Sequence, residues 1–304
     1  MLLIAGGALD PHTQRIARLA RLRGLPHRAV LVGPEHSPRV SYTVPSGQLC
    51  IDGEFFSPTA LWLRHDVFAA IADPRPAVLR RALAWTEAIR GFALLCPTIR
   101  WANRGASLRR VNKVEQLARA AEVGLRIPKT RVSNDLPSLV AEAASWVAKP
   151  VAGGSLCMAM QELLGGLHED GGAAPQPAFV QERLRGPEVR AYVVGEELYC
   201  WEILTDVLDH RADPDCCVRR AELPAKEAEL LLRLAGRLGL TLAAADFKRD
   251  PATGELVFLE INSQPMWTAY DQDCRGALSE AILDWLVGPS TGGTPANPQT
   301  KHEE

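Results

Sequence analysis

Residues 245–262 read ADFKRDPATGELVFLEIN, Ala245 to Asn262, and this stretch decides how the chain folds. Two runs rich in strand formers flank Asp250–Gly254, a cluster of turn residues, so the segment reads as a β-hairpin. Side chains alternate faces along a strand, which puts Glu260 and Asn262 on one face. With the turn centred near Ala252, Asp246 lies on the same face of the neighbouring strand, within diagonal reach. Two carboxylates and an amide oxygen make a hard-oxygen set suited to Mg²⁺ carrying nucleotide phosphates. Glu260 follows the apolar run Val257-Phe258-Leu259, and a carboxylate carried into such surroundings needs a charged partner. The same residues also fit a solvated strand face, so the rest of the chain has to decide.

Upstream, Trp146–Pro150 reads WVAKP and runs into Val151-Ala152-Gly153-Gly154-Ser155. Gly153, Gly154 and Ser155 let backbone N–H groups approach phosphate oxygens, and Lys149 supplies a point charge. Lys113, on a helix before it, offers a second cation. Residues 179–195, FVQERLRGPEVRAYVVG, end one strand at Gln181-Glu182-Arg183-Leu184 and begin another. The backbone of that hinge suits an adenine edge, and Glu188 suits ribose hydroxyls. Arg190, two residues on and on the same face, suits bidentate contact with a phosphoryl group. A Glu188–Arg190 ion pair is the alternative reading. Lys248 shares the face of Asp246 and either contacts phosphate or lies exposed.

Around these motifs the chain alternates strands and helices. Leu2–Ala5, a helix capped by Asp10-Pro11 and closed at Gly24, and Ala29–Val32 form a β-α-β start. A strand at Leu61–Leu63 and a helix over about Pro76–Arg90 follow, then a polar break at Asn103–Ser107. The pattern continues with helices over about Leu108–Val123, Leu136–Ser145, Pro224–Leu238 and Gly276–Leu286. Strands are expected at Thr130–Val132, Trp146–Lys149, Ala178–Glu182, Glu188–Val194 and Glu197–Leu204. Gly165–Pro177 and Leu204–Val218 read as mobile loops, and 288–304 as a disordered tail.

In order and spacing, the lysine, strand-Lys-Pro-glycine loop, QE hinge, Glu-x-Arg pair and D-F-K…L-E-I-N resemble ATP-grasp ligases of the RimK-like and glutathione-synthetase-like type. The resemblance spans roughly Asn103 to Leu286. It implies an α/β (α+β) class: an ATP-grasp fold with an N-terminal Rossmann-like pre-ATP-grasp domain. The domains would be 1–104 and 105–287, the latter with a central lobe at about 108–182 and a C-terminal lobe at about 183–287. By the same resemblance, Lys113, Lys149, Gly153, Gly154 and Ser155 would hold ATP phosphates. Gln181, Glu182, Arg183 and Leu184 would hold adenine, and Glu188 the ribose. Asp246, Glu260 and Asn262 would bind Mg²⁺, and Arg190, Arg211 and Lys248 would act in catalysis.

The implied activity is an ATP-dependent carboxylate–amine ligase that forms an acyl phosphate, releases ADP and phosphate, and acts on an amino acid or peptide. Two strings are also similar to the ATP-grasp maturases that crosslink ribosomal peptides, the graspetide enzymes. One is NKVEQLARAAEVGLRIPKTRVSND, Asn112–Asp135, and the other is Asp209-His210-Arg211 before Glu222-Leu223-Pro224. Arg64, in Trp62-Leu63-Arg64, sits where that group often has an arginine. Where those maturases continue with glycine-glutamine-tryptophan, this chain has Ser263-Gln264-Pro265-Met266-Trp267 and then Ala269-Tyr270-Asp271. A graspetide-type macrocyclase is therefore the alternative; a small-molecule kinase and a non-catalytic nucleotide-binding module are further ones.

The bulk numbers narrow the field. A net charge of −2 over 304 residues gives no reason to expect nucleic acid or an anionic membrane as partner. No apolar run approaches the roughly 18–20 residues that span a bilayer. The seven cysteines are scattered, without CxxC spacing, which fits a reducing cytoplasm. Gly6-Gly7 lacks the GxGxxG pattern of a dinucleotide-binding dehydrogenase. A homodimer is left open.

Overall fold

A computed structural model of the protein describes residues 1–34, 36–106, 112–135, 145–151, 156–165, 173–213, 215–271 and 276–288. Two compact units emerge, one of Met1–Ala102 together with the chain from Ala277 on, the other of Asn103–Gly276.

The first unit is built on four parallel strands in the order β2-β1-β6-β7: β1 (Leu2–Gly7), β2 (His27–Val32), β6 (Ala60–Leu63) and β7 (Arg100–Trp101). Helix α1 (Pro11–Leu22) starts where the Asp10 side chain accepts from His12 N–H, with Pro11 in the first turn, and it buries Ile16, Leu19 and Ala20. Between β2 and β6 lies a small antiparallel sheet, β3 (Val40–Tyr42), β4 (Leu49–Ile51) and β5 (Glu54–Phe56). Sequence periodicity does not reveal it, because three-residue strands are too short to alternate visibly. Its one legible mark is Asp52-Gly53, both at positive φ, in the β4–β5 turn. Helices α2 (Val67–Ala72) and α3 (Pro76–Leu95) follow β6.

The last helix, α7 (Ala277–Val287), corrects the expected boundary at 287. It packs on α1, β6 and β7, and so belongs to the first unit. Its buried stripe of Leu278, Ile282, Leu283 and Leu286 gives it an apolar face to cover, and Arg23, at the C-terminal cap of α1, pairs with Glu280 and Asp284 at 3.1 and 2.7 Å.

In the second unit, α4 (Lys113–Val123) is capped by the Asn112 side chain and ended by Gly124 at φ 99°. A first sheet has the order β10-β9-β11-β8, from β8 (Thr130–Asp135), β9 (Trp146–Pro150), β10 (Met158–Ala159) and β11 (Ala173–Glu182). A short helix, α5 (Met160–Gly165), follows β10. The second sheet is antiparallel, ordered β14-β13-β12-β15-β16: β12 (Arg185–Val194), β13 (Glu197–Leu204), β14 (Cys217–Ala221), β15 (Leu242–Arg249) and β16 (Leu256–Asn262). On one face Val189, Ala191, Ala245, Phe247, Phe258 and Ile261 pack with Leu231, Leu234 and Leu238 of α6 (Ala225–Leu238) and with Leu117 and Ala120 of α4. By strand alternation, Glu188, Arg190 and Asp246 point to the opposite face.

Two expected loops are shorter than read. Residues 173–177 belong to β11, and 217–218 to β14. The arginines of β14, Arg219 and Arg220, hid it as a strand; it is a sheet edge, where charge is tolerated. The expected helix over 136–144, the Gly153–Ser155 loop and the tail beyond Gly288 lie outside the described residues. Among the described residues, no helix is long and apolar enough to cross a membrane.

Candidate functional site

The hairpin of β15 and β16 sets the geometry. From Arg249↔Leu256 to Phe247↔Phe258 the register is regular, and then Asp246 pairs with Glu260. Leu259 is thus an extra residue, a β-bulge. An unbroken ladder would pair Asp246 with Leu259 and turn Glu260 into the core. The bulge instead brings Glu260 directly opposite Asp246, closer than the diagonal placement expected from a turn at Ala252. Asn262 completes the group: its Nδ2 lies 3.1 Å from Glu260 Oε1 and 3.5 Å from Asp246 Oδ2.

Each carboxylate meets a cation. Arg190 donates from Nε to Asp246 Oδ1 at 2.7 Å and from Nη2 to Oδ2 at 2.9 Å, the bidentate fork that arginine makes with carboxylates. Its Nη1 donates to the Tyr270 hydroxyl at 3.1 Å, and its guanidinium carbon lies 5.5 Å from the Tyr270 ring centre. Lys113 donates to Glu260 Oε2 at 2.8 Å. Burial pushes the Asp246 carboxyl above its ordinary range, and Arg190 only partly offsets this. Burial also opposes charge on Glu260, but Lys113, Lys149 and Asn262 outweigh it and hold Glu260 low. Lys149, half-buried at the end of β9, is pushed down by burial and by Lys113, against the pull of Glu260.

A second cluster sits beside the first. Glu188, 6% exposed, faces His210 Nδ1 at 3.1 Å and Lys248 Nζ at 3.6 Å. Burial works against its charged form, yet His210, Lys248 and Arg190 together keep it below the usual carboxylate range. Lys248 also donates to the Leu208 carbonyl at 2.7 Å. The turn Asp209-His210-Arg211 is held by its own aspartate: Arg211 donates to both Asp209 oxygens, at 2.9 and 2.6 Å, and Cys157 N–H donates to Oδ2 at 3.0 Å.

These residues line a cavity of about 570 Å³ that includes Lys113, Lys149, Glu188, Arg190, Arg211, Asp246, Lys248, Glu260 and Asn262. Beside it lies a second cavity, about 500 Å³, lined by Arg183, Leu184 and Pro251 and sharing Glu188, Leu208 and Lys248 with the first. Most of the residues expected from sequence are therefore brought together. Gln181 and Glu182 are the exceptions. The Gln181 amide donates to Thr130 Oγ1 at 2.9 Å, and Glu182 Oε1 accepts from Lys129 N–H at 3.0 Å. Both side chains fasten β11 to the β8 end, which leaves Arg183 and Leu184 facing the cavity. Gly153, Gly154 and Ser155 lie outside the described residues. Arg64 is built into the first unit, 3% exposed and 2.9 Å from Asp10.

Sequence reading missed the work of His210, Tyr270 and Cys157. Asp209-His210-Arg211 is visible as a motif, but that its histidine reaches Glu188 is a long-range contact. Tyr270 carries no local signal at all.

Among the described residues, no group of three or more His, Cys, Asp or Glu side chains is placed to hold a metal ion. The converging set is two carboxylates and an amide. The two carboxylates supply hard oxygen donors, without thiol or imidazole, and Asn262, which here turns its Nδ2 to both of them, carries an amide oxygen as a third, so the residue types fit a hard cation such as Mg²⁺.

Two sheets joined at a hinge, with a carboxylate hairpin and cations along the cavity, define the ATP-grasp fold, and the chain has it. Known structures agree. The chain is similar to the ATP-grasp ligase PsnB complexed with a phosphomimetic variant of minimal precursor, Mg and ADP, at TM-score 0.72 and 23% identity, over 94% of this chain and 97% of that one. It is similar to the macrocyclase MdnC bound with precursor peptide MdnA from Microcystis aeruginosa MRC, at TM-score 0.70 and 19% identity, over 94% and 99% of the two chains. The VanG D-Ala:D-Ser ligase from Enterococcus faecalis gives TM-score 0.59 and 15% identity, over 94% and 97%. No protein-family model and no curated protein matches the chain.

Proposed function

We propose that the protein is an ATP-dependent carboxylate–amine ligase that works through an acyl phosphate and releases ADP and phosphate. The observation that carries this reading is the bulged hairpin, which gathers Asp246, Glu260 and Asn262 beside Lys113, Lys149 and Arg190 at one end of a cavity. The hinge at Arg183-Leu184 lines the second cavity, which adjoins the first through Glu188, Leu208 and Lys248. Adenine at the hinge and ribose at Glu188 would direct the polyphosphate toward these cations.

When bound by Asp246, Glu260 and Asn262, Mg²⁺ would neutralise polyphosphate charge. Lys113 and Lys149 hold the phosphates, and Lys149, which burial disfavours as a cation, gains an anion there. A carboxylate oxygen of the substrate attacks the γ-phosphorus, and the bond to the ADP oxygen breaks. Arg190 orients the transferred group, mainly by position and charge. The amine then attacks the acyl carbon and phosphate leaves, with Arg190 and Arg211 stabilising the negative oxygen. Lys248 ties Glu188 to the Leu208 carbonyl, which keeps the loop carrying Arg211 against the cavity.

The substrate is an amino acid or peptide, and the cytoplasm is the proposed compartment. The macrocyclase reading is supported by the Arg211 turn in the cavity wall and by precursor-bound structures among the similar folds. The test is nucleotide chromatography after incubation with Mg²⁺, ATP, and pooled amino acids and short peptides containing Asp, Glu and Lys. ADP formed faster with carboxylate and amine together supports the proposal. AMP as main product, or ADP with a phosphorylated alcohol, contradicts it.

A further inference from the structure

Both carboxylates of the proposed metal set are already matched by cations of the same chain. Asp246 accepts from Arg190 at 2.7 and 2.9 Å, and Glu260 from Lys113 at 2.8 Å. The side chains of the first pair are 7% and 17% exposed, and those of the second 23% and 26%. Asn262, neutral, touches both carboxylates. The formal charges of these two pairs therefore cancel before any ligand arrives, and Lys149 is the further cation beside them.

We propose that Arg190 and Lys113 are place-holding cations, so that a divalent cation and a polyphosphate enter this site together and neither binds well alone. The proposal rests on the ATP and metal reading given above. A metal ion arriving by itself must either share each carboxylate with a nearby cation or displace that cation from its counter-ion. Both are costly where water is scarce. A polyphosphate arriving by itself meets two cations already paired with carboxylates, and only Lys149 can take it without breaking an ion pair. When both arrive, the metal takes the carboxylates while the guanidinium and the ammonium take phosphate oxygens. Every charge then has a partner. Tyr270 suits Arg190 to such an exchange: its hydroxyl, at 3.1 Å, and its ring, at 5.5 Å, hold the guanidinium without using a carboxylate. Two sites linked in this way must show reciprocal coupling, each ligand raising the affinity for the other.

The test is calorimetry and electron paramagnetic resonance on the full chain, with Mn²⁺ in place of Mg²⁺ and AMPPNP as nucleotide. Mn²⁺ alone should bind the wild-type chain roughly 10- to 100-fold more weakly than it binds the chain holding AMPPNP, after correction for Mn²⁺–AMPPNP association in solution. Removing a place-holder should reverse the order. Arg190→Met and Lys113→Met should each bind free Mn²⁺ about tenfold more tightly than wild type while binding AMPPNP more weakly. Lys113→Met, at the more exposed pair, keeps the test available if Arg190→Met fails to fold. Free Mn²⁺ binding wild type as tightly as either variant, with AMPPNP binding intact, overturns the exchange and leaves the ATP reading standing. Absence of AMPPNP binding with or without Mn²⁺ overturns both.

Discussion

Asp246→Asn isolates a charge pair buried in the second unit. Asparagine keeps one oxygen for Arg190 but places an N–H₂ group where the second oxygen accepted at 2.9 Å. A guanidinium then stays largely buried without its counter-ion, a change that costs about 3–5 kcal/mol when one partner of a buried pair is removed. Tyr270 still contributes its hydroxyl and ring, worth about 1 kcal/mol, so we expect a net loss of about 2–4 kcal/mol. For a unit of this size that lowers the melting temperature by about 4–16 °C. Removing both charges should be far milder, since an apolar replacement of a buried pair is often close to neutral. Asp246→Asn/Arg190→Met should therefore recover most of the loss. Chemical denaturation followed by tryptophan fluorescence reads both variants, and Trp201 lies beside the pair through Tyr270. A single variant as stable as wild type would refute the reasoning, as would a double variant no better than the single.

Other perturbations have equally definite outcomes. His12 is buried, and burial first, then Arg64, push its pKa down to about 3 from 6.5. A lowered histidine pKa means that the unfolded chain takes up the proton first, so stability falls as pH drops below about 6.5; at pH 5 the loss is about 2 kcal/mol. His12→Gln should lose correspondingly less stability between pH 7 and pH 5, and equal losses would show that His12 does not titrate in this way. Lys149→Ala should abolish the rise in melting temperature given by Mg²⁺ and ATP while the fold survives; full retention would remove Lys149 from the phosphate site. Glu260→Gln should reduce Mg²⁺-dependent turnover more than Lys248→Ala does, because one loses charge at the proposed metal and the other loosens a loop. Equal, mild effects would count against the metal set.

Much of this was legible in the chain because the informative residues are close in sequence or repeat with a fixed period. Asp246, Glu260 and Asn262 fall within one hairpin, and the glycine at 254 marks its turn. The α1 cap at Asp10-Pro11 and the stop at Gly24 can be read letter by letter. The bulge at Leu259 could not be, since a one-residue register shift is decided by packing of Phe247 on Phe258 and not by local preference. The pairing of Arg190 with Asp246 spans 56 positions, and either residue alone looks like a free site group. Helix α7 was assigned to the wrong unit because chain order is a poor guide when a terminal helix returns to an earlier sheet. The small sheet at 40–56 escaped because its strands are shorter than the patterns that reveal strands.

The central claim concerns which atoms the carboxylate substrate surrenders, and one isotope experiment reads that directly. A carboxylate activated as an acyl phosphate loses one of its own oxygens to the phosphate when the amine attacks. With a substrate labelled with ¹⁸O in its carboxylate, Mg²⁺, ATP and the amine, mass spectrometry of the released phosphate should find one ¹⁸O per product formed, with unlabelled ADP. Label appearing in AMP, or phosphate released without label while the product forms, would contradict the account.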